Sequence, residues 1–445
     1  MLITDENILM RLDNYQLKKA IVTLSLFTLQ LILVFTADNR IDFNYASPFL
    51  LLIVSLIIPY YYILVLGKKE VDASSIAVGK PWSKYVYFGL GMLAILVNYK
   101  GVGRLFAQYP DPGEISDVMP QIETQYSRFV HGILPYSPVT SVPWHPYPVY
   151  MPLHWLPVGV AHMLGIDSRW SGYIILVIAG GIYGRYILQY RAMVWRKMIV
   201  LLVLWAVLWA YMMWGGMDLP AVLETLIAAY YLVLAVGLMT RNLTITTIGI
   251  ILCLLSRYTF VFWLPLFFIL LWQHKSIKQN LMIWFAIAVA VLCIYIIPFW
   301  SKDPTIFTKG LAYHNYCAYN SWRCFGTNQT YDFYKSGLLF APRVYDITTG
   351  TIEHRVFLAR CLQGGLMLFL FAAGLWLYAK IKSRINFYDF SLMMLYVFIL
   401  VFMLFAPFVF RYYYMPVLVL SAVICAKIVL VNKKEIIENN GSNLP

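Results

Sequence analysis

The chain is built from apolar segments of roughly 17–25 residues that recur from one end to the other, each long enough to cross a hydrocarbon core of about 30 Å as a helix. This pattern is the strongest constraint on the fold, because lipid offers backbone polar groups no partner. Only structures that satisfy their own N–H and C=O groups can span it. With 61% hydrophobic residues, 12% charged residues and a mean hydropathy of +0.69, the chain lacks the polar surface needed to wrap the same segments as buried helices of a soluble domain. The expected fold is an all-α, polytopic integral membrane protein.

Charge placement then sets the topology. A net charge of +13 in a soluble chain would suggest nucleic acid, but here the lysines and arginines sit in short segments between spans and read as topology signals, with no nucleic-acid partner expected. Lys18 and Lys19 precede the first span, and no small-residue cleavage site follows, so that span is expected to be a retained anchor. Spans are predicted near 18–36, 48–67, 84–100, 171–188, 198–214, 220–239, 243–256, 259–273, 281–298, 356–379, 388–408 and 412–431, about twelve in all. Both termini then fall on the cytoplasmic side. The segment 148–164 is left out of the count: three prolines and two histidines oppose a regular span. Crossing there would also place Arg185, Arg191, Arg196 and Lys197 on the wrong side. It is expected to lie in the interface or to dip in and return.

Residues 1–445 are thus read as a single transmembrane domain, with an N-terminal hairpin over 1–83, a non-cytoplasmic acidic loop with juxtamembrane helices over 100–170, and a second large non-cytoplasmic loop over 299–355. No internal repeat is apparent, which weakens a repeat-built transporter. Of the six cysteines, Cys317 and Cys324 share the second loop, where an oxidising compartment would permit a disulfide; no zinc-ligand spacing surrounds them.

The first loop clusters Asp111, Glu114 and Asp117 just beyond a span, and carboxylates at a membrane surface must be solvated or used. Val118, Ile122, Tyr126 and Val130 follow at four-residue spacing, which predicts a surface helix over about 118–131, ended by Gly132. Asp117 stands just before it. Two roles fit: capping the first-turn N–H groups, or acting as a general base. Asp218, in a Gly-Gly-Met-Asp-Leu-Pro turn between spans, stands where it could cap a span opening with Leu219 and Pro220. Glu224 lies further into a span, where an unpaired charge costs about 2.5 kcal/mol or more, so it should face a cavity or a cation such as Arg257 or Arg411. Those arginines each sit where a span meets the outside beside tyrosines; they suit either an interfacial belt or a phosphate. Tyr136, Trp144 and Tyr147 lie in a proline-aromatic run and could stack on a sugar or anchor at the interface; His145 and His154 lack metal-ligand spacing and read as structural.

A span, an outside acidic cluster, a surface helix ending in Gly132-Ile-Leu-Pro-Tyr136, a proline-aromatic run containing Pro152 and Leu153, and an inward span with arginines at its end follow in that order. Together they resemble the GT-C superfamily of polytopic glycosyltransferases, nearest its mannosyltransferase-like and aminoarabinose-transferase-like branches. The likeness covers about residues 84–200, and beyond them only a pattern of spans. It implies an inverting sugar transfer from a polyprenyl-phosphate donor to a lipid or glycan acceptor on the non-cytoplasmic face. A carboxylate of the acidic loop, Asp117 fitting best, would be the base. Asp218 would be a second acidic residue, with Arg257 and Arg411 on the donor phosphate. No cofactor is required; a divalent metal is compatible. The chain departs from the family in beginning its acidic loop after the third span rather than the first, and in spacing Glu114 and Asp117 three apart. A secondary transporter and an O-antigen polymerase or ligase-like enzyme are the alternatives. The setting expected for such an enzyme is the bacterial inner membrane.

Overall fold

A computed structural model of the protein describes residues 5–36, 46–66, 82–111, 113, 116–190, 192–216, 218–323, 340–408 and 410–431. The helices run α1 Asp5–Thr36, α2 Ser47–Leu66, α3 Ser83–Leu96, α4 Tyr99–Gln108, α5 Val118–Val130, α6 Pro152–Trp155, α7 Val158–Leu164 and α8 Arg169–Ile187. Then follow α9 Val194–Trp214, α10 Asp218–Ala221, α11 Glu224–Met239, α12 Leu243–Leu254, α13 Leu264–His274 and α14 Ile277–Val291. The chain continues through α15 Ile306–Arg323, α16 Ala341–Ile347, α17 Ile352–Ile381, α18 Phe387–Leu404 and α19 Met415–Leu430. No strand occurs among the described residues. Among the described residues, eight helical stretches are long and apolar enough to cross a membrane, as in a polytopic membrane protein. Three shorter apolar helices, α11, α12 and α13, accompany them.

Burial sorts these helices into a centre and a rim. Every residue of α11 from Glu224 to Met239 is buried, as expected of a helix that is apolar all round. Around it stand α8, α12, α18 and α19. The rim is different. The stretch Ile277–Trp300 is only 11% buried and α17 only 17%, and they present Phe285, Leu368, Phe369 and Trp376 outward. Exposed apolar rings and chains on this scale need a non-aqueous surrounding.

The tightest helix pair is α3 against α8, and its cause is glycine. A Cβ on Gly184 would stand 2.2 Å from the Tyr87 carbonyl, and one on Gly91 would stand 2.0 Å from the Gly180 carbonyl. Only hydrogen atoms fit there, the close small-residue contact by which helices pack in lipid, where burial of oil against oil supplies no drive. Gly184→Ala is therefore expected to lower the thermal midpoint of the detergent-solubilised protein, the overpacking penalty being about 1–3 kcal/mol. Gly89→Ala, where a Cβ meets nothing within 4 Å, is expected to be neutral. Equal midpoints for the two variants would remove glycine packing as the reason for this contact.

The N-terminal helices join the same bundle. Gln30 donates to the Ser55 hydroxyl at 2.8 Å and to Tyr396 at 2.7 Å, while Tyr62 donates to Asp389 at 2.9 Å. At this end of the bundle, Asp389 also meets Lys427, with Arg241 at 3.8 Å. Lys19 donates to the Val431 carbonyl at 2.6 Å and Arg196 to those of Val429 and Leu430 at 3.3 Å. Cations at the negative end of the α19 dipole are well placed. This is the basic end. The two large loops meet at the other, the loop end.

The segment 148–164 folds into α6 and α7, of four and seven residues. At about 1.5 Å per residue neither approaches the thickness of a bilayer core. Its irregular backbone is tied inward by Leu153, which donates to the Leu255 carbonyl at 2.9 Å, and by Tyr230, which donates to the Leu153 carbonyl at 2.9 Å.

Candidate functional site

The surface helix forms as α5, Val118–Val130, and Gly132 leaves it at a φ of +71°, the left-handed region that glycine enters without strain. Its inward face differs from the simple stripe. Val118, Met119, Gln121, Ile122 and Gln125 are buried, whereas Val130 is exposed. Gln125 reaches the Tyr150 carbonyl at 3.2 Å, and Arg128 pins the following loop through the Ser137 and Pro138 carbonyls at 2.5 and 2.8 Å. Together these bonds hold α5 and the proline-aromatic run as one piece.

Asp117 occupies the N-cap position of α5, yet its side chain makes no capping bond; Ser116 accepts from the Val118 N–H instead, at 3.2 Å. The carboxylate turns to other partners. Its Oδ2 accepts from the Trp144 indole at 3.4 Å and from the Tyr313 hydroxyl at 3.3 Å. Trp144 belongs to the first loop and Tyr313 to α15 of the second, so Asp117 stands at their junction. Burial, with Cys317 and Asp117 beside it, drives the Tyr313 phenol well above its ordinary pKa, so Tyr313 serves as donor. No described side chain donates to Oδ1 of Asp117.

A buried polar group adjoins this carboxylate. Tyr150 lies within electrostatic range of Asp117, and burial, then Tyr413 and Asp117, keep its phenol protonated. Arg257 stacks its guanidinium 4.3 Å from the Tyr413 ring centroid and pairs with Glu224, whose side chain is 1% exposed. Glu224 thus finds one of the two cations its position demanded. The helix breaks between α10 and α11, which puts Glu224 at the first residue of α11 rather than inside a continuous span. Arg257 Nε and Glu224 Oε1 are both buried without a partner among the described residues.

Asp218 opens α10 and its carboxylate accepts from Arg411 Nε at 2.6 Å; Arg411 also donates to the Gly215 carbonyl at 3.2 Å. Each arginine assigned to a donor phosphate is therefore already matched with a carboxylate. For Glu224 a cation was one of the two expected surroundings; for Asp218 no pairing was expected.

His154 is fully buried, its ring 4.6 Å from that of Tyr150, and its ring nitrogens make no well-formed hydrogen bond although the Ser256 backbone lies alongside. Burial, and then the Arg257 charge, push its pKa well below the ordinary value, so the imidazole is neutral. Of the three rings expected to stack on substrate, Tyr136 is buried against Phe299 and donates to the Tyr150 carbonyl at 3.1 Å. Tyr147 is half-buried and donates to the Tyr136 carbonyl at 3.3 Å. Trp144, 54% exposed beside Asp117, is the ring with an open face.

The other acidic candidates are not gathered here. Asp111 accepts from the Gly113 N–H at 2.8 Å and lines an open cleft of about 390 Å³ with Glu123, Asp167 and Ser168, whose lining does not include Asp117. In that cleft Glu123 pairs with His162 at 2.9 Å, and Asp167 is engaged by Arg169. The cleft's carboxylates are committed or solvated, whereas Asp117 keeps an oxygen that no described side chain engages. Glu114 lies outside the described residues, as do Cys324, Asn328 and Lys335. Cys317 sits beside Tyr313, and burial raises its thiol pKa to about 11. No group of three or more metal-ligating side chains occurs among the described residues.

The sequence carried no sign that Tyr313, Tyr150 and Tyr413 would meet Asp117. Tyr313 is 196 residues away, and a tyrosine in a chain with 34 of them marks nothing by itself. Comparison with protein-family models, with curated proteins and with solved structures finds no match for this chain.

Proposed function

We propose that the protein is a membrane glycosyltransferase that moves a sugar from a polyprenyl-phosphate donor to a hydroxyl of a lipid or glycan acceptor, with inversion. One observation supports the reading above the others: both protein donors to Asp117 fall on Oδ2, which leaves Oδ1 open to take a proton. A carboxylate that merely capped α5 would be spent on backbone N–H groups instead.

In this reaction Asp117 Oδ1 accepts the proton of the acceptor hydroxyl as its oxygen bonds to the anomeric carbon. The bond from that carbon to the phosphate oxygen breaks, and its electron pair leaves with the phosphate. Arg257 keeps its Nε–H for that phosphate after pairing with Glu224. Arg411, already paired with Asp218, would add its positive charge on the donor-phosphate side. Trp144 offers its exposed face to a sugar ring, and α15 covers the site from the second loop. Counting α8, α11, α12 and α13 as crossings brings the spans to about twelve. The basic end then faces the cytoplasm with both termini, in a bacterial inner membrane.

The test supplies labelled polyprenyl-phosphate sugars to proteoliposomes with candidate acceptors. Label on an acceptor supports the reading. Label that crosses the vesicle still joined to its polyprenyl phosphate would replace it with a transporter.

A further inference from the structure

Arg360 differs from the other arginines at the loop end. Arg257 and Arg411 hold carboxylates, Arg169 holds Asp167, and Arg355 is bonded to the Gly350 and Tyr345 carbonyls. Arg360 is half-buried and its Nε is shut off from solvent, yet no described residue gives it a carboxylate or carbonyl. A buried guanidinium N–H without an acceptor is costly, and the cost is removed when an anion occupies the place.

Position says which kind of anion. α17 has 30 residues and so is about 45 Å long, some 15 Å more than a hydrocarbon core. Arg360 lies about 12 Å along it from Ile352, near the depth at which lipid headgroups meet acyl chains. Around it α17 turns Phe357 and Leu362 outward, 60% and 42% exposed. On its inner side stand Tyr319 and His314 of α15, within electrostatic reach.

We infer that Arg360, between α15 and α17, binds the phosphate of a membrane lipid whose chains lie along the exposed face of α17. The phosphate oxygens accept from the guanidinium, and the hydrocarbon stays in the bilayer. The inference does not depend on sugar transfer at Asp117.

The test equilibrates the full-length protein in detergent with a short-chain polyprenyl phosphate, with phosphatidylglycerol, or with inorganic phosphate, and measures bound ligand. Arg360→Gln is expected to weaken lipid-phosphate binding about tenfold or more, with Arg360→Lys recovering most of it. Tighter binding of either lipid identifies which one the site takes. Unchanged binding in Arg360→Gln overturns the inference, as does inorganic phosphate binding as tightly as lipid, which would make this a free-anion site. As a check that does not depend on folding of the variant, a photoreactive lipid phosphate is also applied to the unaltered chain. Labelling within 311–323 or 352–364 is expected, and labelling confined elsewhere counts against the site.

Discussion

Asp117→Asn is expected to reduce sugar transfer by about 10²–10⁴-fold, the usual contribution of a positioned general base, while leaving the fold intact. Asparagine keeps the shape of the side chain and an oxygen for Trp144 and Tyr313, but it cannot take a proton. Stability should not change, because the carboxylate makes no capping bond that the amide would have to replace. Asp117→Ala should be equally inactive and slightly less stable, since it strands the Trp144 and Tyr313 donors. Label transfer in membranes, read beside the thermal midpoint of each purified variant, checks both points. Full transfer by a folded Asp117→Asn protein would remove Asp117 as the base.

The second large effect concerns the Glu224–Arg257 pair. Removing one partner of a buried ion pair leaves the other charge uncompensated, typically at about 3–5 kcal/mol. Glu224 is 1% and Arg257 11% exposed, so little water is available to relieve it. Glu224→Leu and Arg257→Met are each expected to destabilise the protein by roughly that amount. The double variant is expected to recover most of the loss, since no bare charge remains, yet to stay inactive for want of the Arg257 donors. A double-mutant cycle on unfolding in detergent measures the coupling. If the two single effects simply add in the double variant, the pair is not a unit.

The helix α5 was legible because its causes are local: apolar residues at four-residue spacing, and Gly132 where a left-handed exit is needed. That 148–164 forms no regular span-length helix was legible for the same kind of reason, prolines that interrupt it. For Glu224 the energetic demand for a cation was legible, although the choice between Arg257 and Arg411 was not. That choice follows from the break between α10 and α11, which sets Asp218 and Glu224 in different places, and no propensity announces such a break. The two readings of Asp117 could not be separated from sequence, because a capping and a catalytic aspartate occupy the same position in the chain.

By itself, then, the sequence indicated the class of environment, since hydropathy acts over one span at a time. Tertiary structure decided which charges are spent and which remain open. Asp218 and Glu224 are taken by arginines 193 and 33 residues away, Asp117 keeps one free oxygen between two loops, and Arg360 is left without a counter-charge among the described residues. In a medium of low dielectric the state of a charge depends on what lies within a few ångströms of it, and packing between distant segments settles that.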